Sequence, residues 1–190
     1  SKERNMYFIL DESFCDFSDD FPQNTLLDDH ILESYTSMVV IKSISKSFGV
    51  PGLRLGIMAT ANVEMLSAIR KDLSIWNINS FAEFFMQIYT KHEADYIKAA
   101  EKFRKEREVF RQELKSVPFL RVFDSESNYF LCEVLPPYES YALAVRLLNE
   151  HNILIKDCST KKVFAGRSYI RVAIRNREDN RRLIEALKSL

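Results

Sequence analysis

The segment Ser43–Gly56 reads SISKSFGVPGLRLG and contains three of the four glycines in this 190-residue chain. It follows an apolar run at 38–42 that predicts a buried strand, and α/β proteins place ligand sites at the end of such strands. Glycine permits positive φ and close backbone approach, so the loop could bind an anion through its hydroxyls, Lys46 and Arg54. A turn-rich loop with solvated Lys46 and Arg54 is the alternative interpretation. The glycine spacing is not that of a Walker phosphate loop.

Working outward, apolar runs at 6–11, 38–42 and 55–59 predict strands buried on both faces, as in a parallel sheet. Asn62 is positioned to cap a following helix. The stretch 80–117 contains no glycine or proline and predicts a long helix. We expect that helix to start with a capping box formed by Ser80 and Glu83, and to break near 91–95.

The pattern changes after Pro118, which ends the long helix. Two strands, a helix, two strands and a final helix are predicted at 119–123, 128–134, 141–150, 153–156, 169–174 and 177–190. The order ββαββα defines a small α+β unit with its own core. We therefore expect two domains, 1–116 and 117–190, with the boundary within or just after the long helix.

Composition excludes several classes of protein. The 27 basic and 27 acidic residues balance, which argues against a dedicated nucleic-acid-binding protein. No apolar run approaches the roughly 20 residues that span a bilayer, so no membrane association is expected. The three cysteines are widely spaced and the three histidines are scattered, so we expect reduced thiols and no metal site. Without a secretion signal at the start, a cytoplasmic location is predicted.

Three motifs together resemble a known family. The segment Ser43–Gly56 matches the pattern S-x-S-K-x-x-G-x-x-G-x-R-x-G of fold-type I enzymes that use pyridoxal 5′-phosphate, and the chain resembles class I/II aminotransferases. Asp11–Phe17, DESFCDF, is similar to that family's D-E-[AS]-[YF]-x-[DE]-F motif. Tyr169–Arg175, YIRVAIR, with the run at 153–158, resembles the branch of histidinol-phosphate aminotransferase and threonine-phosphate decarboxylase. The implied fold class is α/β: the C-terminal part of a fold-type I transferase, with a partial large-domain sheet and helices followed by a small α+β domain.

The resemblance assigns the catalytic roles to two residues. Lys46 would bond covalently to the cofactor aldehyde and then move a proton at the substrate Cα as general base and acid. Asp11 would pair with the pyridine nitrogen and keep it protonated. The alternative interpretation of Asp11 is an aspartate that caps a helix or a turn. The alternative interpretation of Lys46 is an exposed lysine without a catalytic role.

The remaining site residues are assigned in the same way. Arg54, Ser43 and Ser45 would hold the cofactor phosphate, because a planar guanidinium and two hydroxyls suit that group. Arg171 would bind the substrate α-carboxylate. The alternative interpretation is a surface arginine, because a strand with alternating polar residues would show the same sequence pattern. The role of Arg175, on the same face, is open.

Some neighbouring residues carry weaker information. Phe14 departs from the tyrosine of many relatives and has no hydroxyl to donate to the cofactor. Trp76 and Asn79 resemble a stretch near the subunit contact, and core packing would explain Trp76 equally well.

The resemblance implies transamination between an amino acid and a 2-oxo acid, by an enzyme that is a homodimer when complete. The chain starts one strand before the acid motif. We therefore expect a C-terminal portion of a longer enzyme that alone binds cofactor weakly and turns over little. Two alternatives stay open at this point: a threonine-phosphate decarboxylase-like lyase, and a non-catalytic interaction fragment.

Overall fold

The computed structural model describes residues 6–164 and 166–190. The chain divides into two compact units, Ser1–Ala100 and Glu101–Leu190. This division falls inside one long helix. The expected domain boundary near residue 116, at the end of that helix, stays a prediction.

The first unit contains a three-stranded sheet that orders the candidate site. Its strands are β1 (Phe8–Asp11), β2 (Met38–Ser43) and β3 (Gly56–Ala59), in the spatial order β1-β2-β3. Strand β1 is parallel to β2, with Asp11 opposite Ile41, whereas β3 is antiparallel, with Gly56 opposite Ser43. The last residues of β1 and β2 and the first residue of β3 therefore lie at one end of the sheet.

Burial differs among these strands. The central strand β2 has four of its six residues buried, whereas Ile41 is exposed and Ser43 is half-buried. The prediction of burial on both faces is wrong for the outer strands, since Phe8 and Ile9 of β1 are 49% and 65% exposed and most of β3 is exposed. The two small apolar clusters of this unit are built around Val40 and Ile44, so the packing within it covers β2 and leaves its neighbours open.

The helices of the first unit are α1 (Asp29–Ser34), α2 (Ile44–Ser47) and α3 (Val63–Asp72), and the long helix α4 (Ser80–Lys115) has residues in both units. Asn62 caps α3 as predicted, accepting a hydrogen bond from the Met65 N–H at 2.8 Å. The expected break in α4 near 91–95 is wrong: the helix runs through it for 36 residues, and no glycine or proline interrupts it. The prediction that Ser80 caps α4 is also wrong by one residue. The cap is Asn79, whose side-chain oxygen accepts a hydrogen bond from the Ala82 N–H at 3.0 Å.

The second unit confirms the predicted ββαββα order. It contains β4 (Leu120–Val122), β5 (Tyr129–Val134), α5 (Ser140–His151), β6 (Lys156–Asp157), β7 (Tyr169–Ala173) and α6 (Arg177–Lys188). The four strands form an antiparallel sheet in the order β4-β5-β7-β6. The strand expected at 153–156 is shorter and lies later, at Lys156–Asp157.

This second unit has the larger core. Its fully buried side chains come from the end of α4, from the sheet and from both later helices, and include Phe110, Phe130, Leu147, Ile170 and Leu187. Among the helices that the structure describes, none is both long and apolar enough to cross a membrane.

Candidate active site

Ser13 joins the ends of the two parallel strands. Its hydroxyl donates to Asp11 Oδ1 at 2.5 Å and its N–H donates to the same oxygen at 2.9 Å. The Ser43 N–H donates in turn to the Ser13 Oγ at 2.9 Å. Ser13 therefore connects the acid at the end of β1 to the start of the turn that carries Lys46.

The Asp11 carboxyl is held in its ionised form. The Ser13 hydroxyl and the Ser13 N–H lower its pKa most, and the positive charge of Lys46 lowers it further. Asp11 ends β1, and Lys46 lies three residues beyond the end of the neighbouring strand β2, which Ser13 connects to Asp11. Asp11 is exposed, which corrects the expectation that it ends a buried strand.

Lys46 lies on α2, immediately after β2. Its side chain is exposed, as the alternative interpretation has it, and its Nζ lies 5.5 Å from the centroid of the Phe14 ring. The Phe14 ring, which has no hydroxyl, thus lies near the amine.

Backbone contacts bring the phosphate-binding candidates to the same place. The Ile44 N–H donates to the Leu55 carbonyl at 3.1 Å, so Ser43 and Arg54 flank a direct contact between the two arms of the glycine loop. The Arg54 guanidinium is exposed and makes one long hydrogen bond, 3.4 Å, to the Pro51 carbonyl. Ser45 is half-buried in the same turn.

The local backbone geometry explains why two positions of the loop are glycine. Gly49 has φ of +66°, a conformation that side chains rarely adopt. A Cβ on Gly56 would lie 3.3 Å from the Lys42 carbonyl, so the close approach of β3 to β2 favours glycine there. Arg54 itself has φ of 52°, which is strained for a residue with a side chain.

Sequence reasoning missed Ser13. A signal was present, because an aspartate side chain often accepts from the backbone two residues further along the chain. The contact with Ser43 had no such signal, since it joins residues 30 positions apart.

Arg171 lies in the second unit, on β7. It is exposed, and its guanidinium carbon lies 5.0 Å from the centroid of the Tyr129 ring. Arg175 pairs with Asp179 at 2.7 Å, one helical turn on, which accounts for its charge without a ligand. Trp76 is 90% exposed, so core packing within its unit is the wrong explanation for it.

The free donors and acceptors fit pyridoxal 5′-phosphate. Within the described residues, Asp11 Oδ2 accepts no hydrogen bond, and the Lys46 amine makes neither a hydrogen bond nor an ion pair. A carboxylate oxygen suits a protonated pyridine nitrogen, and an amine suits an aldehyde. The hydroxyls of Ser43 and Ser45 and the Arg54 guanidinium are donors of the kind that a phosphate needs.

Comparison with known proteins identifies the family of this chain. The family model described as aminotransferase class I and II matches residues 1–187. The chain therefore belongs to the class I and II aminotransferase family, and membership supports pyridoxal 5′-phosphate as the cofactor.

Curated relatives include enzymes with different names. The chain is 31% identical to the CMP-5′-(3-aminopropyl)phosphonate synthase of Streptomyces rubellomurinus, covering 98% of this chain and 29% of that protein. It is also 31% identical to the threonine-phosphate decarboxylase of Salmonella typhimurium, covering 100% of this chain and 50% of that protein. The chain spans half or less of the length of the curated relatives compared.

A solved structure shows the same fold. The histidinol-phosphate aminotransferase from Clostridium acetobutylicum superimposes with a TM-score of 0.86 at 31% identity, covering 98% of this chain and 55% of that one. The expected fold class, part of a fold-type I transferase, is thereby confirmed.

Proposed function

We propose that this chain supplies the lysine, the ring-nitrogen acid and the phosphate-binding turn of a pyridoxal-phosphate enzyme that acts on an amino acid. The observation that carries the proposal is the contact of Ser13 with both Asp11 and Ser43, which joins the acid at the end of β1 to the start of the turn that carries Lys46. Strand β1 delivers the acid, and the turn after β2 delivers the amine.

The two residues have separate tasks. When bound, the cofactor supplies an aldehyde carbon conjugated to a ring that accepts electrons. Asp11, ionised through its contacts with Ser13, would keep the ring nitrogen protonated. Lys46 would hold the cofactor through its aldehyde, and its amine, when neutral, would accept and return a proton at the substrate Cα.

The other site residues bind and orient. Ser43, Ser45 and Arg54 hold the phosphate, because the contact between the two arms of the loop keeps them near one another. Arg171, in the second unit, binds the substrate α-carboxylate through its planar guanidinium.

Two reactions are candidates. Transamination to a 2-oxo acid is the first, since it is what the motifs imply. Decarboxylation is the second, and a specific observation favours it: the threonine-phosphate decarboxylase relative is as similar to this chain as the aminotransferase structure, both at 31% identity. The names of both proteins specify phosphate esters, so we propose an amino compound that carries a phosphate group as substrate. We further propose that the complete enzyme is a homodimer and that it is located in the cytoplasm.

A labelling experiment tests the cofactor role. The natural full-length protein is incubated with pyridoxal 5′-phosphate, reduced with borohydride and digested, and the modified peptide is identified by mass spectrometry. We expect the label on Lys46, with its loss in Lys46→Ala and its retention in Lys91→Ala, which removes an exposed lysine of α4. If Lys46 of the wild-type protein carries no label, the result favours the alternative that the chain is a non-catalytic interaction fragment. Release of carbon dioxide from threonine phosphate, against conversion of an added 2-oxo acid to its amino acid with histidinol phosphate as the amino donor, then separates the two reactions.

A further inference from the structure

The acid motif contains a carboxylate that the proposed function does not use. Asp16 lies in the short 3₁₀ turn Cys15–Phe17 and is only 2% exposed. Its Oδ1 pairs with the Lys42 amine. Its Oδ2 accepts from the Ser47 hydroxyl at 2.5 Å and from the Tyr96 hydroxyl at 2.8 Å. One buried carboxylate thus joins β2, α2 and α4.

These contacts converge on the residues that follow Lys46. Ser47 is bonded to Asp16, and the ring of the next residue, Phe48, stacks on Tyr96 with centroids 4.3 Å apart and planes 6° from parallel. Helix α2 has only four residues, too few to be stable through its own hydrogen bonds. Its orientation is therefore set from outside: Ile44 at its start contacts Leu55, and Asp16 and Tyr96 contact Ser47 and Phe48 at its end.

Tyr96 is suited to this contact. Burial is the main cause of its raised pKa, so its hydroxyl remains protonated and able to donate. The neighbouring Tyr89 shares the aromatic cluster, with its ring 5.3 Å from that of Phe48, but its hydroxyl is not among the groups that bond Asp16.

A purely structural role is the competing explanation. A buried ion pair often adds little net stability, because removing both charges from water costs nearly what their attraction returns. A gain in stability therefore does not explain why Lys42 and Asp16 form a buried pair. Asp16 also bonds Ser47, which directly follows Lys46, and a role in positioning that lysine explains the buried carboxylate better.

We propose that Asp16 and Tyr96 are positioning residues that fix the turn carrying Lys46, so that its amine is presented toward the bound cofactor. This inference rests on the proposed function. It adds a role for the third acid of the motif, which acts through Ser47 rather than by touching the cofactor.

The test compares Tyr96→Phe with Tyr89→Phe in the natural full-length protein. Both changes remove one hydroxyl from the same aromatic cluster, and Tyr96→Phe keeps the stacked ring. The rate at which the protein bonds covalently to added pyridoxal 5′-phosphate is followed by absorbance, and the melting temperature is measured alongside. We expect Tyr96→Phe to slow bond formation about fivefold, the scale of one net hydrogen bond, and Tyr89→Phe to leave it unchanged. Ser47→Ala should act in the same direction as Tyr96→Phe.

The outcomes separate this inference from the proposed function. Equal rates for Tyr96→Phe, Ser47→Ala and wild type would overturn the positioning role, even if their melting temperatures fall. A slower rate for Tyr89→Phe equal to that of Tyr96→Phe would overturn it too. Absence of any covalent bond in wild-type protein would contradict the proposed function itself.

Discussion

The Tyr96 hydroxyl donates to the Asp16 carboxylate at 2.8 Å, although 80 residues separate the two in sequence. This bond attaches the long helix α4 to the turn that follows β1. Since Asp16 also pairs with Lys42 and Ser47, the helix, the central strand and the lysine turn share one buried acceptor.

Removal of that acceptor should be costly. Asp16→Ala leaves the Lys42 amine, in a side chain only 9% exposed, without its partner. We expect the free energy of unfolding to fall by about 3–5 kcal/mol, the usual cost of breaking a buried pair from one side. Urea unfolding measures it. The double variant Asp16→Ala with Lys42→Met should recover part of the loss, and a double variant as unstable as the single one would contradict the ion-pair explanation.

Ser13 should control the ionisation of Asp11. Ser13→Ala removes the hydroxyl that contributes most to lowering the pKa of that carboxyl, and keeps the N–H contact. We therefore expect the pKa to rise toward its ordinary value of 3.8, as followed by NMR of the labelled carboxyl. Ser13→Thr, which keeps a hydroxyl, is the control.

The sign of the accompanying pH dependence follows from the same shift. A carboxyl whose pKa is lowered by folding stabilises the native state above its unfolded pKa, and this contribution disappears as the pH falls through the lower folded pKa. Ser13→Ala should therefore reduce stability at pH 6 more than at pH values below the folded pKa of Asp11. An equal loss at both would show that Ser13 acts without regard to the charge on Asp11.

Arg54 should reveal a conflict between stability and binding. Its φ of 52° suits glycine better than arginine. We expect Arg54→Gly to retain stability or raise it by up to about 1 kcal/mol, and to weaken binding of pyridoxal 5′-phosphate. Arg54→Ala keeps the backbone strain and should weaken binding to the same extent without the gain. Cofactor titration and thermal melting measure the two effects; unchanged affinity in both variants would remove Arg54 from the site.

The start of α4 should depend on Asn79. This side chain accepts from the Ala82 N–H and donates to the Leu53 carbonyl at 2.8 Å, so it caps the helix and holds the glycine loop. Asn79→Ala should destabilise the protein by about 1–2 kcal/mol. Ser80→Ala should change stability by less than about 0.5 kcal/mol, because the exposed first residue of a helix does not act as its cap. Equal losses of unfolding free energy in the two variants, measured by chemical unfolding, would indicate that Ser80 also caps the helix.

Arg171 should affect substrate binding rather than folding. Arg171→Gln removes the planar cation proposed for the α-carboxylate, and we expect kcat/KM for the amino acid to fall about 10- to 100-fold. Arg175→Gln is the matched control, since Arg175 lies four residues further on and is already paired with Asp179. A similar loss in both variants would indicate a general effect of surface charge.

Much of this protein could be predicted from short-range sequence patterns. The strand at 38–42, the Asn62 cap and the ββαββα order of the second unit depend on residues close together in the chain, and they appear in the structure as predicted. The motif around Lys46 identified the family for the same reason, because its glycines and cation lie at fixed local spacing.

Tertiary structure alone decided the exposure of β1, the contact between Ser13 and Ser43 and the contacts of Asp16. A run of apolar residues shows that burial is favourable, but which face is covered depends on elements distant in sequence. The bonds from Ser43 to Ser13 and from Tyr96 to Asp16 bridge 30 and 80 residues, and a hydrogen bond of that range exists only once the chain has folded back on itself.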